Sequence, residues 1–85
     1  MRPRISKLEF KKEVRPALAS HGFTPIQRDK VEVAFSGSLD ESGEFAGIDA
    51  KELENGLEQL AKLNFSARQI EIVREELEQR LGKSD

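Results

Sequence analysis

A short oxygen-bearing side chain followed three residues later by Glu or Gln occurs four times in this chain. The four are Ser6-Lys7-Leu8-Glu9, Thr24-Pro25-Ile26-Gln27, Asp49-Ala50-Lys51-Glu52 and Ser66-Ala67-Arg68-Gln69. At a helix N-terminus the cap oxygen accepts from the N3 amide, and the N3 side chain reaches back to the cap's own amide. Each of the four precedes an apolar-periodic stretch. They predict an all-α fold with four short helices around one core.

Eighty-five residues suit a single small domain spanning residues 1–85, with 1–5 and 82–85 as flexible termini. A chain this short buries roughly 60% of its unfolded surface, so its core is modest. Cysteine is absent, which removes disulfide frameworks and thiolate metal sites. No apolar run approaches the roughly 18 residues of a membrane span, and no signal-peptide core follows Met1. The expectation is a soluble, cytoplasmic protein without membrane contact. The net charge of −2 hides a gradient. Residues 1–15 carry six bases and two acids, whereas residues 40–63 carry seven acids and two bases. Such asymmetry offers a basic patch to an acidic partner, or lets the two ends face each other in the fold.

In the first helix Phe10, Val14 and Leu18 repeat at i, i+4, i+8. Pro16 lacks the amide that would bond the Lys12 carbonyl, so the helix should kink there or end near Val14. Gly22 reads as a C′ residue, with Phe23 folding back as its hydrophobic contact. Thr24-Pro25 then favours a helix over 25–35, because Pro suits N1. Val31–Ser36 alternates apolar and polar, which instead reads as a strand. The alternative fold is therefore α+β, with a small hairpin at about 31–48. Residues 37–48 hold three Gly and two Ser and read as a long loop. Leu53, Leu57, Leu60 and Leu63 stripe a third helix over about 50–63, stopped by Asn64. Phe65 and Ile70 fit a hydrophobic staple around the Ser66 cap. Ile70, Val73, Leu77 and Leu81 stripe a fourth helix that ends at Gly82. Beyond the repeated caps, no internal repeat stands out.

Ala34-Phe35-Ser36, Asp40-Glu41-Ser42-Gly43-Glu44 and Gly47-Ile48-Asp49-Ala50-Lys51-Glu52-Leu53 together resemble a calmodulin-type EF-hand over about residues 31–63. The family's loop gathers oxygen ligands around Ca²⁺ and closes on a bidentate Glu. The resemblance implies Asp40, Ser42, Glu44 and Glu52 as ligands, with Ca²⁺ as the cofactor if there is one. It also implies that Ile48 pairs its backbone with a neighbouring loop. Asp40 to Glu52 spans 13 positions, one more than the family's ordinary 12.

No catalytic constellation accompanies these features. His21 is the only histidine and sits where a helix C-terminus favours a cation. Glu75, Glu76 and Glu78 fall on a polar helical face. The expected function is therefore non-enzymatic, with no required cofactor. The chain reads as a small regulatory domain that binds another protein through an apolar helical groove, with Phe35, Leu39, Phe45, Leu57 and Ile72 as groove residues. The alternatives are a Ca²⁺ sensor and a nucleic-acid-binding regulator. The last would meet phosphates through Arg2, Arg4, Lys7, Lys11, Lys12 and Arg15.

Overall fold

The structure is a computed structural model that describes residues 4–40 and 47–81. All four cap signals start helices. Ser6 Oγ accepts from the Glu9 amide at 3.0 Å. Thr24 and Gln27 complete both bonds of a capping box, at 3.1 and 2.9 Å. So do Asp49 with Glu52, and Ser66 with Gln69. The resulting elements are α1 over residues 7–20, α2 (Pro25–Ala34), the short α3 (Ser36–Leu39), α4 (Ala50–Lys62) and α5 (Ala67–Leu81). The fold is all-α.

α1 does not end near Val14 but continues through Pro16 to Ser20. Its middle, Phe10–Val14, widens into a π-helical turn, and the Arg15 amide donates to the Phe10 carbonyl five residues back. A π-turn holds one residue more than an α-turn. Pro16 then falls at the second position of the following α segment, Arg15–Ser20, where its missing amide costs least.

The hairpin alternative at 31–48 is overturned: residues 25–34 and 36–39 are helical. The alternation placed Val31, Val33 and Phe35 on one strand face. In the helix, Val31 and Phe35 point into the core four residues apart, and Val33 points out. Residues 37–39, expected as the start of the loop, are thus helical, and residues 41–46 lie outside the described residues.

α1 and α4 both finish in the same motif. Gly22 has φ +91° and Asn64 has φ +69°, which are left-handed C′ positions. Phe23 donates its amide to the Leu18 carbonyl at 3.1 Å, and Phe65 to the Leu60 carbonyl at 3.2 Å. Leu63, expected as the last core leucine of its stripe, sits at this C-cap and is partly exposed.

The described residues contain an internal repeat that the sequence reading did not find. Ile5 and Ile48, Ser6 and Asp49, Glu9 and Glu52, and Phe10 and Leu53 are 43 positions apart. Leu18 and Leu60, Phe23 and Phe65, Thr24 and Ser66, Val31 and Val73, Phe35 and Leu77, and Leu39 and Leu81 are 42 apart. The register drops by one within α1, where the π-turn absorbs the extra residue of the first half. Packing repeats as well: α1 lies on α2 as α4 lies on α5, and α2 touches α4 as α5 touches α1. Two pairs of equivalent residues meet each other. Ile5 and Ile48 exchange both backbone hydrogen bonds at 2.9 Å, and the rings of Phe23 and Phe65 stack at 6.1 Å. The halves are thus related by a pseudo-twofold axis running between these pairs.

One buried cluster joins both halves, including Phe10, Val14, Leu18, Val31 and Phe35 from the first and Leu53, Leu57, Leu60, Val73 and Leu77 from the second. Ile5 belongs to it at 1% exposure. Of the expected flexible residues 1–5, Ile5 is pinned in the core by its bridge to Ile48, and residues 1–3 lie outside the described residues. Gly82, the expected helix end, lies outside the described residues.

Candidate functional site

The residues nominated as groove lining are mostly core. Phe35, Leu39 and Leu57 are buried. Ile72 packs half-buried against the same cluster. Phe45 lies outside the described residues. The Phe35 ring rests on Gly56, where a Cβ would run into it. Phe35, Leu39 and Leu57 therefore hold the helices together in the core.

The nominated ion ligands divide. Ser42 and Glu44 lie outside the described residues. Asp40 accepts from Lys7 Nζ at 3.1 Å. Glu52 closes the α4 capping box and also accepts from Arg4 at 3.3 Å. Among the described residues, no group of three or more His, Cys, Asp or Glu side chains is placed to hold a metal ion. Ile48 does pair its backbone, and its partner is Ile5 of the segment before α1.

The charge gradient is folded against itself. Arg4 reaches Asp49 at 3.5 Å and Glu52 at 3.3 Å, and Lys7 reaches Asp40. Arg15 forks between Asp29 and Glu32, each at 2.7 Å. The Asp29 hydrogen bond and then the Glu32 contacts, against opposing burial, hold Arg15 above its ordinary pKa. Three of the six bases nominated for phosphates therefore face carboxylates of the same chain. Arg2 is outside the described residues, and Lys11 and Lys12 are exposed on α1.

A second polar cluster ties α1 to α5. Glu76 meets His21 Nε2 at 3.1 Å and Arg80 at 3.0 Å. Burial pushes the Glu76 carboxyl up, but the hydrogen bonds from His21 and Arg80 outweigh it and leave its pKa below the ordinary value. The His21 ring thus links the end of α1 to Glu76 on α5, while its backbone amide caps the helix.

The surface carries apolar side chains that the sequence reading passed over. Leu8, Ile26 and Val33 are 62%, 68% and 66% exposed. Their counterparts in the second half are Lys51, Arg68 and Glu75, all charged. The repeated fold therefore does not require apolar residues at these positions. Ile26 and Val33 lie seven residues apart on α2, on one face. Beside Val33 a shallow cleft of about 340 Å³ is lined by Lys7, Asp29, Glu32, Val33, Ser36, Leu39 and Asp40. Leu39 floors it, and three carboxylates against one ammonium edge it. The spacing of Ile26 and Val33 off the core stripe was the available signal, masked by reading Val33 as a strand residue.

No family model, curated protein or solved structure matches this chain.

Proposed function

We propose that this chain is a small non-catalytic interaction domain that binds a protein segment along the outer face of α2 and in the adjoining cleft. The observation that carries this reading is the contrast between the halves: Leu8, Ile26 and Val33 are exposed and apolar where the equivalent positions hold Lys51, Arg68 and Glu75. Single exposed apolar residues are ordinary; what favours a contact role is that the equivalent positions of the same fold do without them. The cleft edge selects the partner's chemistry. Asp29 and Asp40 side chains are 68% and 61% exposed, so they remain open to an incoming base although each already pairs with one. A segment presenting an apolar side chain beside Lys or Arg fits that edge.

This reading moves the contact from the residues first nominated to the surface beside them. Leu39 belongs to both. The ion-sensor alternative has less support, because Asp40 and Glu52 are engaged by Lys7 and Arg4. The nucleic-acid alternative has less support for the same reason at Arg4, Lys7 and Arg15. No helix among the described residues is long and apolar enough to cross a membrane.

The test compares wild type with Val33→Glu as bait in the source lysate, with circular dichroism recorded on both. Capture of one protein by wild type, and its loss from a Val33→Glu variant with unchanged helicity, supports the surface. Equal capture by both baits contradicts it.

A further inference from the structure

A dense set of polar contacts lies where the pseudo-axis passes between Ile5 and Ile48. Three oxygens from the start of α4 converge on the guanidinium of Arg4: the Gly47 carbonyl at 3.5 Å, Glu52 Oε1 at 3.3 Å and Asp49 Oδ2 at 3.5 Å. All three side chains are mostly shielded from solvent. The next residue, Ile5, exchanges both backbone hydrogen bonds with Ile48. Gly47 has φ +101°, and a Cβ there would meet the Ile5 carbonyl oxygen at 2.7 Å and Arg4 Cβ at 3.2 Å. The approach of the two segments is thus as close as a glycine allows.

We infer that Arg4 and Ile5 form a strap locked across the start of α4, with the Arg4 guanidinium as the lock and the Ile5–Ile48 bridge as the part it holds shut. The charges explain why an arginine is stable there. The N-terminus of a helix repels a cation. Asp49 and Glu52 reverse that sign, and they divide their labour: Asp49 Oδ1 caps the Glu52 amide while Oδ2 faces Arg4. The lock and the capping box therefore share both carboxylates. Opening the strap would bring two otherwise buried isoleucines, Ile5 and Ile48, to the surface and free one donor and one acceptor on each backbone. Among the described residues the bridge is a single isolated pair, so the side-chain lock governs how often it opens. This device is independent of the α2 surface, and either can fail alone.

Amide hydrogen exchange reads the lock directly, because the Ile5 and Ile48 amides are the two bridge donors. In Arg4→Gln both should exchange about tenfold faster, the factor expected from losing charge-assisted hydrogen bonds. Val73 and Leu77, in the core of α5, should exchange as in wild type. Arg4→Lys keeps the charge and loses the fork, so it should fall between the two; it also serves as the reporter if Arg4→Gln does not fold. Acceleration confined to Ile5 and Ile48 supports the strap. Unchanged rates at both amides, or a uniform change that includes Val73 and Leu77, overturn it.

Discussion

Gly56 sits in the middle of α4, where glycine costs about 1 kcal/mol relative to alanine. The Phe35 ring occupies the space a Cβ would need. Overpacking a filled core costs about 1–3 kcal/mol, so the steric term exceeds the propensity gain. Gly56→Ala should therefore lower the melting temperature, by roughly 4–8 °C for each kcal/mol lost. A melting temperature equal to or above wild type would show that the ring moves aside freely. Neither Gly56 nor Gly47 was legible as a contact residue. The partner of each, Phe35 and Ile5, lies at least twenty residues away in the chain, and a glycine carries no side-chain signal of what will approach it. The caps were legible because their chemistry is complete within four residues.

Between elements, the cluster of His21, Glu76 and Arg80 gives α1 and α5 a pH-dependent contact. The carboxyl of Glu76 is held below its ordinary pKa, so the folded state binds its proton more weakly than the unfolded chain does. Its contribution is complete above the unfolded carboxylate value and is lost as pH falls through the lowered folded value. Glu76→Gln should melt lower than wild type near neutrality, and the gap should close on acidification through that window. Melts recorded across a pH series check this, and a gap that stays constant would contradict it. The same scale shows where sequence reading fell short. Pro16 signalled a break in α1, but it could not reveal that a π-turn would absorb both the proline and an extra residue. Val31–Ser36 carried a real strand pattern, which lost to the Thr24 capping box, Pro25 and the burial of Val31 with Phe35. Tertiary packing decided between two locally consistent readings.

At the scale of the whole molecule, two helical hairpins face each other across a pseudo-twofold axis, and the acid-rich and base-rich stretches close against one another. The repeat was hidden because its register shifts by one within α1 and because equivalent core positions differ in size, as with Phe10 and Leu53 or Phe35 and Leu77. The four capped helices, the cap positions and most of the core stripe were readable; the short α3 and the pairing of the halves needed coordinates. The α2 surface emerges only from that pairing, since exposure of single apolar residues is ordinary and the charged counterparts make it informative. The proposed contact surface requires that Leu8, Ile26 and Val33 are dispensable for folding. The most direct measurement grafts the second half's residues onto the first, as Leu8→Lys, Ile26→Arg and Val33→Glu in one protein, and records its thermal melt against wild type. Exposed substitutions of this kind cost within about 0.5 kcal/mol each, so a cooperative melt within about 10 °C of wild type is expected. A triple variant that fails to fold, or melts far below that range, would show that these side chains belong to the fold and not to a contact surface.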